Sequence, residues 1–191
     1  MTAHSLTNLE RALAQSKAKG GISSTPTGGQ QMCGDIDMRI ARDGTWHYMG
    51  SPIGRMPLVK LFASVLKRDD SGDFWLITPA EMCRIQVDDA PFTAVEMTVE
   101  GSAERQKLVF RTNLDEIVTV GAAHPLRVEI NSDTQEPAPY VTVRDGLDAL
   151  ISRAIFYDLV EIAAAREDGP ADMLGVWSSG EYFEIGSLDN A

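Results

Sequence analysis

Cys33 and Cys83 are the two cysteines in a chain of 191 residues. With His47 and His124 they are the residues from which a nucleophile and its base could be built. Cys83 alternates with Ile85 and Val87, which puts its side chain on the core face of an extended segment, where a thiol stays protonated. Cys33 stands beside Gly34 and Asp35, and a nearby carboxylate raises a thiol pKa rather than lowering it. Neither reads as a catalytic thiol. Asp35 and Asp37 share one face of an extended strand, as metal carboxylates do, but no histidine or third carboxylate follows at ligand spacing. The run from Asp69 to Asp73 lacks the final Glu of a calcium loop and reads as a solvated turn. There is no Walker loop, dinucleotide fingerprint, Gly-x-Ser-x-Gly elbow or zinc spacing. No catalytic residue, metal or cofactor is therefore assigned.

The segment that best suits a ligand is Gly50-Ser51-Pro52-Ile53-Gly54-Arg55, just before a predicted helix. Free amides at a helix start, a flexible loop and an arginine together can hold an anion. Arg39 and Arg55 are the expected phosphate partners, Ser51 and Gly54 the loop contacts, and Trp46 a stacking surface. Arg39, Arg55 and Arg84 all lie in the electrically neutral half of the chain. Farther on, Arg153 and Tyr157 sit one helical turn apart and can meet on one face. They would close the other side of the same ligand. The expected partner is thus a small anionic ligand between two units.

The charge distribution sets the limits of that reading. The chain carries a net charge of -11, from 17 basic and 28 acidic residues. From Met1 to Val95 there are 10 of each sign; from Glu96 to Ala191 there are 7 basic and 18 acidic residues. The second half carries the whole excess, which points to two units with different surfaces. So acidic a chain repels phosphate backbones, and neither DNA nor RNA is expected as a partner. Apolar runs fall far short of the roughly 20 residues of a membrane span, and Met1 to Lys19 lacks a signal-peptide core. A cytoplasmic location is expected.

The elements that must position these residues follow from periodicity. Leu6, Leu9 and Leu13, with Ser5 as N-cap, predict a helix over Ser5–Lys19; residues 22–34 read as a linker. Residues 1–34 form this leader, 35–91 a first α+β unit and 92–191 a second. Asp37–Ile40 and Trp46–Met49 flank an Asp43-Gly44 turn, a hairpin signal. Pro57 suits the first turn of a helix, and Leu58, Leu61, Phe62, Val65 and Leu66 form its stripe, with Lys67 and Arg68 at its C-terminal end. Strands are predicted at Phe74–Thr78 and Met82–Val87. Five more are predicted at Phe92–Val99, Arg105–Thr112, Glu116–Val120, Leu126–Ile130 and Tyr140–Arg144, an antiparallel sheet or partly closed barrel.

A second helix is predicted over 147–165. Asp145 is its N-cap, and Leu147, Leu150, Ile151, Ala154, Ile155, Leu159, Ile162 and Ala163 form its apolar face, ended by Glu167–Pro170. Strands Leu174–Ser178 and Glu181–Ile185 close the chain. The order of extended segment, loop, helix, strand, turn and strand occurs over Trp46–Val87 and again over Tyr140–Gly186. Leu76, Thr78, Glu81 and Ile85 then correspond to Val176, Ser178, Glu181 and Ile185, which predicts a duplicated unit.

Several segments together resemble a bacterial family catalogued as domain of unknown function 1285. They are Cys33–Ile40, Asp43–Trp46 with Ile53-Gly54-Arg55, Cys83–Val87 followed by Asp89–Phe92, and Leu174–Gly180. The resemblance implies a duplicated α+β core whose second half is a pleckstrin-homology-like barrel capped by a helix. It also implies a nucleotide-like ligand in the cleft between the halves and a role in signal transduction, with a signalling protein as partner. The leading expectation is a non-enzymatic ligand-binding or sensor protein. The alternative is a protein-interaction module using an edge strand or groove of the barrel, and the third reading is a hydrolase or thiol enzyme.

Overall fold

The computed structural model describes residues 31–132, 135–165 and 173–187. The helix expected over Ser5–Lys19, most of the linker and the stop at Glu167–Pro170 lie outside these residues. The chain is mostly β, with curled sheets and a half-barrel, rather than an even α+β mixture. It divides into two units, Met1–Asp89 and Ala90–Ala191.

Among the described residues the first unit is one six-stranded sheet and a helix. Its strands are β1 (Gln31–Ile40), β2 (Trp46–Tyr48), β3 (Ser51–Pro52), β4 (Leu66–Arg68), β5 (Phe74–Ile77) and β6 (Glu81–Val87); helix α1 (Met56–Ala63) joins β3 to β4. The order in the sheet is β3-β2-β1-β6-β5-β4. Two antiparallel meanders are therefore sewn together by one parallel pair, β1 with β6. The predicted hairpin forms, with Ile40 opposite Trp46. Gly44 takes φ 82°, which suits glycine, and the Asp43 carboxylate accepts the Thr45 amide at 2.9 Å. Strand β1 also begins earlier than expected, within the segment read as linker.

The core of this unit gathers Met38, Ile40, Trp46, Leu58, Phe62, Leu66, Leu76 and Cys83. Trp46 and Phe62 stack with ring centroids 6.3 Å apart. Helix α1 is shorter than the apolar stripe predicted. It ends at Ser64, whose amide bonds the Lys60 carbonyl at 3.0 Å and whose hydroxyl donates to Leu61 at 2.6 Å. Leu66–Arg68 is instead strand β4, with Leu66 opposite Leu76 and Arg68 opposite Phe74. Asp69 makes that pairing favourable. Its carboxylate accepts the amides of Ser71 and Asp73, each at 2.9 Å, and the Trp75 indole at 2.8 Å, so it shapes the loop that turns β4 into β5. The acidic run is a structural turn, as read from its spacing.

The second unit contains β7 (Phe92–Glu100), β8 (Lys107–Thr112), β9 (Ile117–Thr119), β10 (Leu126–Ile130), β11 (Pro137–Arg144) and β12 (Leu147–Ile151). Then come helix α2 (Arg153–Glu161), β13 (Ala164–Ala165), β14 (Met173–Ser178) and β15 (Glu181–Ser187). The first six strands form one sheet, β10-β11-β12-β7-β8-β9, with β12 and β7 parallel. This is the same order as in the first unit: two meanders joined through their first and last strands. The last three form an antiparallel sheet, β13-β14-β15.

The helix predicted over 147–165 is overturned in its first third. Leu147, Ala149 and Ile151 are buried while Asp148 and Leu150 are half-exposed, the alternation of a strand. Asp145-Gly146 is not a helix cap but the hairpin turn between β11 and β12, with Gly146 at φ 71°. The helix begins after Ser152, and Ile155 and Leu159 are its buried residues. It is followed by β13, paired to β14.

The order of helix followed by three-stranded meander does recur, as α1-β4-β5-β6 and as α2-β13-β14-β15. Leu76 and Val176 are buried at matching places, as are Ile85 and Ile185, and Thr78 and Ser178 are both buried hydroxyls. Glu81 and Glu181 each open the last strand of their meander. Ser178 joins the small sheet to the large one. Its hydroxyl accepts the Leu108 amide at 2.9 Å and donates to the Val120 carbonyl at 2.7 Å.

Candidate functional site

The parallel seam between β1 and β6 carries the polar face of the first unit. Asp35 on β1 stands opposite Arg84 on β6. The Arg84 Nε donates to Asp35 Oδ1 at 2.6 Å and Nη2 to Oδ2 at 2.9 Å, a bidentate pair. Its Nη1 donates to Asp73 Oδ2 at 3.1 Å, and the guanidinium carbon lies 5.9 Å from the centroid of the Trp75 ring. Trp75 is opposite Arg84 on β5. The result is a row across three strands. The hydrogen bonds from Arg84 hold the Asp35 carboxyl below the ordinary aspartate range, and those to Asp35 and Asp73 raise the guanidinium further.

Beside this row lies an open pocket of about 370 Å³, lined by Asp35, Gly72, Asp73, Phe74, Arg84 and Gln86, among others. Two of the five N–H groups of Arg84 remain beyond its three bonds to Asp35 and Asp73. Phe74 adds an aromatic wall, with Arg68 stacked 5.3 Å from its centroid. The titratable side chains lining the pocket are two carboxylates and one guanidinium, so its lining carries a net negative charge.

The residues expected to hold a phosphate are distributed differently. Arg39 bonds Asp88 through two nitrogens, Nε at 2.8 Å and Nη2, and Gln86 reaches the same carboxylate at 3.4 Å. Arg42 pairs with Asp89 at 3.0 Å. Trp46 is 2 % exposed and packed on Phe62, so it offers no open face for stacking. Arg39 lies opposite His47, and the next pair along is Ile40 with Trp46. Successive strand residues point to opposite faces, so Arg39 and Trp46 cannot flank one ligand. Ser51 in β3 and Gly54 in the following loop are exposed. Arg55 is exposed at the cap of α1, where its carbonyl accepts the amides of Leu58 at 2.9 Å and Val59 at 3.1 Å. Pro57 has no N–H. The start of α1 therefore presents fewer donors to an anion than its sequence suggests.

Arg153 and Tyr157 do lie one turn apart on α2, in the second unit. Arg153 pairs with Glu136 at 3.2 Å, and Tyr157 is 60 % exposed. His47 is opposite Arg39, which is opposite Gln86, while Gly34, next to Cys33, is opposite Cys83; three positions of β6, about 10 Å along the strand, separate His47 from the cysteines, too far to act as their base. His124 bonds through Nδ1 with the Thr142 carbonyl at 3.0 Å in the second unit. Cys83 is 1 % exposed, and burial pushes its thiol pKa up, as expected of a core cysteine.

No helix among the described residues is long and apolar enough to cross a membrane. No curated protein sequence matches the chain. Two family models do: the DUF1285 N-terminal domain, a domain of unknown function, over residues 29–90, and the DUF1285 C-terminal domain over residues 91–185. The crystal structure of a DUF1285 family protein from Silicibacter pomeroyi DSS-3 is 40 % identical, covers 98 % of both chains and superposes with a TM-score of 0.82. A second, from Shewanella baltica OS155, is 27 % identical over 66 % of this chain and 91 % of that one, with a TM-score of 0.52. Together the two domain models span the seam, the pocket and nearly all of the second unit, and the chain belongs to the DUF1285 family.

Proposed function

We propose that this protein is a non-enzymatic ligand-binding protein of the sensor type, acting in signal transduction, and that the pocket beside Arg84 is its recognition site. One observation carries the reading. Arg84 is held in a fixed pose by Asp35 and Asp73 above Trp75, at the wall of an open pocket large enough for a small molecule. An arginine locked in this way presents its remaining donors without further ordering cost, which favours specific recognition.

The lining supports a nucleotide-like ligand bound by its base-like end. A planar heterocycle can stack on Phe74, donate to Asp35 or Asp73 and accept from Arg84 or Gln86. Two carboxylates repel a phosphate, so the anionic end of such a ligand would lie away from them. Within the same proposal the second unit is read as a pleckstrin-homology-like barrel, a reading supported by its six-stranded sheet, three-stranded sheet and one helix.

Calorimetry and thermal shift with a panel of nucleobases, nucleosides and nucleotides test the reading. A binder is expected whose affinity falls at least about tenfold in Asp73→Asn and in Arg84→Lys, the loss of one charged hydrogen bond. A panel with no binder, or a binder indifferent to both substitutions, overturns it. The alternative of a protein-interaction module draws on Ile117, 63 % exposed on edge strand β9, an available place for a partner strand. Its test is Ile117→Lys, which would abolish capture of a partner and leave small-molecule binding intact.

A further inference from the structure

The same seam carries a second cluster that the pocket does not use. Strand β1 pairs Met32 with Met82 and then Gly34 with Cys83, so Cys33 is an extra residue bulged out of the parallel ladder. Gly34 takes φ 74°, a conformation that only glycine adopts without strain, so the bulge is built into the sequence. Glu81 is two residues before Cys83 on β6, on the same face of the strand. One sulfur each from Cys33 and Cys83 and a carboxylate oxygen of Glu81 all lie within 4.8 Å of one another. Cys83 is buried, and Cys33 and Glu81 are half-buried.

From this convergence we infer that Cys33, Cys83 and Glu81 form a binding site for one divalent transition-metal ion, with zinc the best fit. Zinc binds thiolate sulfur at about 2.3 Å and carboxylate oxygen at about 2.1 Å. Two ligands sharing one tetrahedral ion therefore sit about 3.5 to 4 Å apart. The cluster is within about 1 Å of that spacing, a gap that rotation of the Glu81 side chain and small shifts of Cys33 close. Two sulfurs favour zinc over the hard cations magnesium and calcium, which take oxygen ligands. Three protein ligands leave a fourth position for water or an external group. Burial of Cys83 keeps one side of the ion dry, while Cys33 and Glu81 give it an entry path.

Cobalt reports such a site directly, because thiolate ligands give it a charge-transfer band. The full-length chain, reduced with a phosphine and stripped with chelator, is titrated with Co²⁺ alone. One equivalent is expected to produce a sulfur-to-cobalt charge-transfer band and the visible bands of a tetrahedral site, both removed by Zn²⁺. Cys33→Ser, at the half-buried position, is expected to weaken Co²⁺ binding about 100-fold or more and to reduce the charge-transfer band by about half. Glu81→Gln is expected to weaken binding about 10- to 100-fold and to keep the band. Circular dichroism of Cys33→Ser checks that the fold is retained. Absence of a charge-transfer band in the reduced chain, or an equal band in folded Cys33→Ser, overturns the inference.

Discussion

Asp35 and Arg84 are 49 residues apart, and so are Arg39 and Asp88. Both pairs straddle β1 and β6, but Arg39 stands opposite Gln86 and reaches Asp88 two residues further on. The register shifts between Asp35 and Arg39, and the seam's ion pairs tolerate that shift because arginine is long enough to span it. The charged row fixes the parallel pairing on its exposed face while Met38, Ile40, Cys83 and Ile85 fix it on the buried one.

Replacing Asp35 with Asn gives a pH-dependent stability difference. The wild-type carboxyl has a lowered pKa because Arg84 donates to it. A carboxyl lowered on folding contributes stability that is fully present above its unfolded pKa, about 3.9, and is lost as pH falls through the folded value. The melting temperature of wild type should therefore exceed that of Asp35→Asn at pH 7, and the two should converge toward pH 2. The pair is exposed, so about 1 M salt should shrink the gap at pH 7 as well. An undiminished gap at low pH would show that Asp35 acts through packing instead.

Ser178→Ala removes the partner of the buried Leu108 amide and one of the two hydroxyls on the Val120 carbonyl. An unpaired buried group costs about 1 to 3 kcal/mol, so a loss of that size is expected in urea denaturation. The neighbouring Ser179 also donates to the Val120 carbonyl, at 2.8 Å, but from an exposed position. Ser179→Ala should cost well under half as much, since water can replace its hydroxyl. Equal costs would mean that Ser178 is not the joint between the two sheets.

Gly175→Ala tests the tightest backbone approach in the small sheet. An added Cβ would meet the Phe183 carbonyl oxygen at 2.4 Å and the Tyr182 ring at 2.5 Å. Tyr182 cannot swing away freely, because its hydroxyl donates to the Ala164 carbonyl at 2.7 Å and its ring meets Trp177 edge-on. Overpacking of this kind costs about 1 to 3 kcal/mol, and the backbone clash places this site at the upper end. Gly186→Ala, with nothing within 4 Å of the added carbon, is the control and should cost little.

Local chemistry made the turns readable. Asp43-Gly44 and Ser179-Gly180 each announced a hairpin, and each forms with its glycine at positive φ. The strands on either side alternated clearly enough to be placed within a residue or two, except that β1 starts six residues before the expected Asp37. The site was harder to read, because nothing local to Asp35 or Arg84 names the other as its partner. The pairing depends on a parallel register, which only the assembled sheet supplies. Arginines that looked available for a phosphate turned out to be the sheet's own cross-strand ties.

Residues 147–151 show where periodicity misleads. Leu147, Leu150, Ile151, Ala154 and Ile155 follow helical spacing without a break, yet a strand ends and a helix begins between them. The Asp145-Gly146 turn and Ser152 marked the true boundaries. Asp148 offers a direct test. In a helix it would sit in the first turn facing water; in β12 its carboxylate accepts from the Thr142 hydroxyl on the neighbouring β11 at 2.9 Å and from Arg127 Nη2 on β10, one strand further, at 3.0 Å. Asp148→Ala should therefore cost about 1 to 3 kcal/mol, as for a half-buried charged group with two partners. A double-mutant cycle with Thr142→Val should show a coupling of about 0.5 kcal/mol or more, because the two side chains touch. Additive losses would separate Asp148 from Thr142, and with them β12 from β11, the pairing that turns this segment from helix into strand.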